Sequence, residues 1–140
     1  MAMDLYNRAN LDLLHGRESA GCMSAKIVKD EIIDSGEWVY QTATGVKKVT
    51  GAYDPTKGKA YVVFGGNVNR LDGKYGDAVT VCFNSAYIGD TNKVAAVTIN
   101  PGDPLTVTDG VLTKAADYTT AIAEALSDNT SGRVVFVPIK

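Results

Sequence analysis

Histidine and cysteine, on which many catalytic sites depend, are scarce in this sequence of 140 residues. Its single histidine, His15, lies beside Gly16, and no serine or cysteine motif accompanies it. A nucleophile formed by Cys22 and His15 would need a rigid scaffold, which this glycine-containing region does not indicate. We therefore predict that the protein is not an enzyme.

The two cysteines, Cys22 and Cys82, are sixty residues apart, and neither belongs to a Cys-x-x-Cys motif. This spacing favours reduced thiols in a cytosolic chain over a disulfide. Cys82 lies within the sequence AVTVCFN, which predicts a buried strand position. Both cysteines are therefore interpreted as structural residues.

Basic clusters and long apolar runs are also missing. The net charge is −2 with an isoelectric point near 5.3, whereas phosphate contacts require clustered lysine and arginine. The apolar runs extend over only a few residues, and the first residues, MAMDLYN, lack the apolar core of a signal peptide. We expect a protein that is made in a cytoplasm and binds neither nucleic acid nor membrane.

Oxygen ligands for a metal ion occur only where turns are expected. Asp72, Asp77, Asp103 and Asp109 each lie next to or near glycine or proline, as turn aspartates normally do. Neither segment has the ligand pattern of an EF-hand loop. The glycine pair at residues 65–66 is not followed by the Gly-Lys-Ser/Thr of a phosphate loop. We predict no metal site and no cofactor.

The first 24 residues predict an extended or partly helical arm. Apolar residues between Asp4 and Leu14 lie roughly on one helical face, namely Leu5, Ala9, Leu11, Leu13 and Leu14. Gly16 and Gly21 interrupt this pattern. A terminal segment with few apolar residues cannot offset its own ordering entropy, so we expect the arm to become ordered on a partner.

From residue 25 to residue 140 the sequence predicts a β-rich domain, because β-branched and aromatic runs alternate with turn signals. Asp109-Gly110 predicts the turn of a short hairpin. Residues 26–33 fit either a helix or a strand, and Asp72-Gly73 marks a further turn. Strands are predicted at residues 37–42, 47–49, 60–64, 78–83, 86–88, 93–99, 105–107, 111–113 and 133–139.

Residues 118–126 carry conflicting signals. Their alanines and Glu124 favour a helix that Asp117 could cap. The alternation of Ile122, Glu124 and Leu126 favours a strand instead, and a strand is our prediction. The predicted fold is mainly β, a small β-sandwich or β-barrel of short strands that follows the N-terminal arm.

Four motifs follow one another in the C-terminal half: GDPLTV, then DGVLTKA, then an alternating alanine-rich run, and finally SGRVVFVPI. In this order they resemble the small head decoration proteins, also called capsid cement proteins, of tailed phages. In that family a hairpin precedes an alanine-rich core strand, a glycine turn and a last apolar strand. The resemblance covers residues 65–140 and implies a strand within residues 118–126.

The resemblance implies a structural protein of the virion, which binds the outer surface of the mature phage capsid and stabilises contacts between capsomers. Its partners would be the major capsid protein and further copies of itself, in a homotrimer. Deleting residues 1–16 should then weaken attachment and leave the β-rich domain folded. The arm offers five apolar residues as capsid or inter-subunit contacts: Leu5, Tyr6, Leu11, Leu13 and Leu14.

The alternative function is a phage tail or fibre-associated binding module. Its aromatic residues would bind carbohydrate or a partner protein. Copy number distinguishes the two functions, because heads carry many decoration proteins and tails carry few subunits. The aromatic residues concerned are Trp38, Tyr40, Tyr53, Tyr61, Tyr75 and Tyr87.

Overall fold

The computed structural model describes residues 10–67 and 75–139. Within these ranges the chain is mainly β, as predicted, and its only helical segments are two 3-10 turns at Glu18–Ala20 and Pro55–Lys57. The strands are β1 Leu11–His15, β2 Cys22–Lys26, β3 Trp38–Thr42, β4 Gly45–Lys48, β5 Ala60–Gly65, β6 Ala78–Cys82, β7 Ile88–Thr91, β8 Pro104–Thr108, β9 Val111–Lys114, β10 Ala123–Ala125 and β11 Val134–Pro138.

These strands form two antiparallel sheets that pack face to face. A six-stranded sheet has the order β1-β7-β11-β10-β8-β9, and a five-stranded sheet has the order β2-β6-β5-β3-β4. Each sheet therefore combines strands from both halves of the chain. The predicted sandwich of short strands is confirmed, whereas the strand order could not be read from local patterns.

The main core lies between the two sheets. The five-stranded sheet contributes Trp38 and Val62, and the six-stranded sheet contributes Leu105 and Phe136, all of which are buried. The Phe136 ring packs against Trp38 and Tyr87, with ring centroids 5.9 Å and 6.0 Å away. Contact between these rings ties the inner faces of both sheets together.

A second, smaller core lies on the opposite face of the five-stranded sheet. Val39, Val63 and Val81 occupy the positions next to the inward residues, because successive strand residues point to opposite faces. Ile27 and Ile33, from the chain that follows β2, cover them. Both faces of this sheet are therefore apolar, and the sheet curls around its own small core.

Of the arm predicted for residues 1–24, the structure describes residues 10–24, and two stretches of these belong to the sheets. Leu11–His15 forms β1, which pairs with β7, and Cys22–Lys26 forms β2, which pairs with β6. Leu11 and Leu13 are buried in the main core. The helical spacing was misleading because Leu14 is apolar although it lies on the exposed face of the strand, next to the buried Leu13.

Residues 118–126 contain a strand, as predicted, although only Ala123–Ala125 pairs with neighbours. This strand lies between β8 and β11, where Ala123 and Ala125 are fully buried. The Asp117 carboxylate accepts from the Thr119 N–H in a local turn and caps no helix. Sheet pairing outweighs the helical preference of alanine here.

Other predicted boundaries moved. Residues 93–99 contain a single bridge, between Val94 and Leu112, in place of a full strand. Residues 28–36 form a loop after β2, neither the helix nor the strand that their composition allowed. The predicted turn at Asp72-Gly73 lies outside the described residues.

Candidate functional site

Strand β2 is the most exposed strand of the described chain. It forms one edge of the five-stranded sheet and pairs only with β6. The first three residues of the strand, Cys22, Met23 and Ser24, are all exposed, and Met23 keeps 61% of its surface in contact with solvent. An exposed edge with an apolar side chain is a surface on which another chain can pair.

The register of β2 shows which of its backbone groups point outward. The Ile27 N–H donates to the Asp77 carbonyl, 3.1 Å away and directly opposite in the same register. Hydrogen-bonded and non-hydrogen-bonded pairs alternate in an antiparallel ladder. Cys22, Ser24 and Lys26 are therefore non-hydrogen-bonded positions relative to β6, and their peptide groups face away from the sheet.

Strand β4 approaches this outer edge only at its far end. The Val28 N–H donates to the Val46 carbonyl at 2.9 Å. Gly45 permits the approach, since a Cβ atom there would lie 2.6 Å from the Lys26 carbonyl oxygen. The edge thus remains open at Cys22 and Ser24, where the hairpin of β3 and β4 turns away.

A groove follows the open edge. It consists of two clefts of about 720 Å³ and about 740 Å³, which share Lys26 and Thr44. Volumes of this size suit a ligand or a short peptide segment. We call this continuous feature the β2 groove; one cleft lies between β2 and the β3–β4 hairpin, and the other lies beneath the loop of residues 28–36.

Both apolar and charged side chains line the β2 groove. One end contains Ile32 and Tyr75, which are 48% and 57% exposed. The other end contains Met23 and Phe83, and the Phe83 ring contacts Tyr61 with centroids 4.9 Å apart. The cleft beneath the loop of residues 28–36 is lined by charges of both signs: Lys26, Lys29, Asp30, Glu31 and Asp77. This combination suits a polypeptide better than a uniformly charged ligand.

Asn67 holds the loop that forms one wall of the groove. Its side chain is buried, and its Oδ1 accepts from the Ile33 N–H at 2.9 Å. Its Nδ2 donates to the carbonyls of Glu31 and Gly76, at 2.9 Å and 3.0 Å. Sequence analysis missed this residue because its partners lie up to 36 residues away and only the folded chain brings them together.

The predicted contact residues have different positions in the structure. Leu5 and Tyr6 lie outside the described residues. Leu11 and Leu13 are core residues of β1, so in this fold they cannot contact a partner. Leu14 is 53% exposed and remains available, although β1 belongs to the sheet that does not carry the β2 groove.

The aromatic residues form no exposed platform of the kind that a carbohydrate-binding module would need. Trp38, Tyr40 and Tyr87 are buried in the main core. Tyr53 stacks on Tyr40, with centroids 6.1 Å apart, and packs against the same core. Tyr75 alone is largely exposed among the six residues proposed from the sequence. The alternative function therefore loses most of its proposed contacts.

Among residues 10–67 and 75–139, no cluster of three or more histidine, cysteine or acidic side chains is arranged to bind a metal ion. Two of the predicted turn aspartates accept hydrogen bonds from backbone N–H groups, Asp103 within its own turn and Asp109 from a segment 58 residues away in sequence. Asp109 accepts from the Gly51 N–H at 2.6 Å, and Asp103 accepts from the Asn100 N–H at 2.8 Å. No helix in these ranges is long and apolar enough to cross a membrane.

The chain matches no family model, no curated protein and no solved structure.

Proposed function

We propose that this protein is a decoration protein of a tailed-phage capsid, which binds the outer surface of the mature head as a homotrimer. The observation that carries this proposal is the path of the C-terminal half. GDPLTV and DGVLTKA pair as the hairpin of β8 and β9, the alanine-rich run contains the buried strand β10, and SGRVVFVPI contains β11. Each motif forms the element that the resemblance implies for it.

The details of these elements support the proposal. GDPLTV contributes β8 and DGVLTKA contributes β9, joined by Asp109 and Gly110 with positive φ angles of 51° and 84°. Two positive φ values identify a type I′ hairpin turn. The alanine-rich run contributes the buried strand β10, and Gly132, with a φ of 82°, lies in the turn before β11.

A decoration protein stabilises a lattice by linkage. Any protein that binds the mature lattice more tightly than its precursor shifts the equilibrium toward the mature form. Repetition over many equivalent sites, and attachment through several subunits of a trimer, multiply a modest affinity per contact. Such a function needs a rigid domain with exposed binding surfaces and requires no catalytic group.

The β2 groove is our proposed attachment surface, and its proposed occupant is an extended segment of the major capsid protein. Such a segment can add as a strand to the open edge of β2, using the outward peptide groups of Cys22 and Ser24. Each backbone hydrogen bond would contribute about 0.5–1.5 kcal/mol. Met23, Phe83 and Tyr75 would contact its apolar side chains.

The copy number of this chain in purified particles tests the proposed function. We expect quantitative mass spectrometry to find a ratio to the major capsid subunit near one or near a simple fraction of one. A few copies per particle would favour the tail module, and absence from particles would reject both functions. Native mass spectrometry of the free protein checks for the homotrimer.

A proline substitution tests the attachment surface separately. Ser24→Pro removes an N–H that points away from β6, and proline is tolerated at such edge positions. We expect Ser24→Pro to bind heads at least tenfold more weakly, a loss of about 1.4 kcal/mol. Ser24→Ala keeps the N–H and serves as the matched control. Equal binding by both variants would remove the groove from the proposal without affecting the copy-number result.

A further inference from the structure

Cys22 and Cys82 face each other across β2 and β6. They are direct partners in the register of the two strands, and their sulfur atoms are 3.2 Å apart. Both are free thiols. Their separation of sixty positions in the sequence had argued against a disulfide, but the antiparallel pairing of β2 and β6 brings the two residues together.

The position of this pair within the ladder suits a disulfide. As the register shows, Cys22 and Cys82 occupy a non-hydrogen-bonded site, where Cα atoms are about 4.5 Å apart. Disulfides span Cα separations of about 4.4–6.8 Å. The sulfur atoms therefore need to move by only about 1 Å to reach bonding distance, and the exposed edge strand β2 is free to make that movement.

We propose that Cys22 and Cys82 form a thiol–disulfide modification site, in which an oxidising disulfide of low molecular weight closes a covalent link between β2 and β6. Cys22 is the attacking thiol because it is exposed, whereas Cys82 is buried. Burial, together with the hydrogen bond and charge interaction with Cys22, raises the pKa of the Cys82 thiol. Cys82 is therefore the resolving thiol, which reacts second.

Both steps are thiol–disulfide exchanges and can be written with oxidised glutathione. The Cys22 thiolate attacks one glutathione sulfur, forms a mixed disulfide and releases the first glutathione thiolate. The Cys82 sulfur then attacks the Cys22 sulfur, loses its proton to the solvent and releases the second glutathione thiolate. The solvent takes up the protons of both cysteine thiols and supplies one proton to each released glutathione thiolate, so one disulfide is reduced and one is formed.

The two cysteines would be reduced thiols in a reducing compartment and a disulfide in an oxidising one. Its closure would fasten the most exposed strand of the sheet to its neighbour. Met23 and Ala25 are the hydrogen-bonded positions of β2 between Cys22 and Ile27. The hydrogen-exchange rates of their amides therefore report how often β2 separates from β6.

The experiment treats the folded full chain with oxidised glutathione and identifies the products by peptide mass spectrometry. For the unsubstituted protein we expect a Cys22–Cys82 linked peptide and no lasting adduct. Cys82→Ser should retain glutathione on Cys22, since no resolving thiol remains. Cys22→Ser should leave Cys82 unmodified while the protein stays folded, because Cys82 is buried.

A second measurement checks that the reaction occurs in the native fold. Hydrogen exchange at Met23 and Ala25 should slow at least tenfold after oxidation, whereas exchange in β8 should not change. Circular dichroism confirms that both serine variants are folded. A stable glutathione adduct on Cys22 of the unsubstituted protein, or two unmodified thiols, would overturn the proposal, as would a link that forms only in urea.

Discussion

Gly89 is a position at which the main core leaves no room for a side chain. It lies opposite Phe136 in the pairing of β7 and β11, and the Phe136 ring covers it. A Cβ atom at Gly89 would lie 2.6 Å from the tip of that ring and 3.3 Å from Leu11. The ring cannot move aside, because Trp38 and Tyr87 pack against it.

We predict that Gly89→Ala lowers the free energy of unfolding by about 1–3 kcal/mol, the usual cost of overpacking a core. Gly76→Ala is the matched control, because the nearest atom to its added Cβ would be 3.9 Å away. Urea denaturation measures both variants. In the double variant Gly89→Ala with Phe136→Leu, the free energy of unfolding should fall by less than the sum of the decreases in the two single variants. Strict additivity would contradict this explanation.

Ionisation of the Tyr87 hydroxyl makes the free energy of unfolding depend on pH in the alkaline range. Burial raises the pKa of its hydroxyl well above the ordinary value of 10.0, and charge interactions with Cys82 and Cys22 raise it further. Between the unfolded and folded pKa values, the unfolded chain has lost a proton that the folded protein keeps. Stability from this group is therefore complete below pH 10 and is lost as the pH rises through the folded pKa.

We predict that the free energy of unfolding of the unsubstituted protein falls as the pH is raised above about 10, where free tyrosine ionises. Tyr87→Phe should show a weaker decline over the same range, since phenylalanine has no proton to lose. Urea denaturation at several pH values measures both slopes. Identical slopes would show that Tyr87 does not contribute to the pH dependence.

At the scale of the element, β1 illustrates how a segment with arm-like composition becomes part of a sheet. It pairs with β7, and the alternation of strand residues directs Leu11 and Leu13 into the core and Leu14 outward. The deletion of residues 1–16, which the sequence suggested as a test of an arm, would remove this whole strand. Weaker attachment of that variant would therefore not distinguish an arm from an unfolded domain.

Point substitutions separate these roles. We predict that Leu11→Ala lowers the free energy of unfolding by about 2–5 kcal/mol, as for other buried leucines. Leu14→Ala should change it by less than about 0.5 kcal/mol, because Leu14 is exposed. If Leu14 contacts a partner, Leu14→Ala should weaken binding to phage heads without lowering the free energy of unfolding. A large loss of stability from Leu14→Ala would contradict the exposed position.

At the scale of the whole molecule, the five-stranded sheet links two cores. Trp38 points into the main core, and the adjacent Val39 points into the second core. Strands β3, β5 and β6 contribute residues to both cores, so unfolding of any one of them disrupts both cores at once. The described domain should therefore unfold in one cooperative transition.

We predict that Val63→Ala, in the second core, lowers the unfolding midpoint reported by Trp38 fluorescence and the midpoint reported by far-ultraviolet circular dichroism equally. Trp38 is the single tryptophan of the sequence, so its fluorescence monitors the main core alone. Leu105→Ala, in the main core, is the matched comparison. Separate transitions in either variant would show that the two cores unfold independently.

Some local features of the fold were visible in the sequence, although the β2 groove itself was not. Cys82 was predicted on a buried strand, and the turn at Asp109-Gly110 was predicted from local chemistry, because both signals lie within a few neighbouring residues. The openness of β2 was not predictable, since it depends on where the β3–β4 hairpin turns away. Asn67 was likewise invisible, because its role depends on loops that only the folded chain brings together.

The sequence by itself determined the fold class, the short strands of the C-terminal half and the hairpin turn, because strand alternation and positive-φ turn residues act over a few residues. The tertiary structure alone decided that Leu11 and Leu13 are core residues, that Cys22 faces Cys82, and that β2 keeps an open edge. These features arise from pairing between strands that are far apart in the chain. No local pattern encodes such pairing, because burial and register are set by the neighbours that each strand acquires on folding.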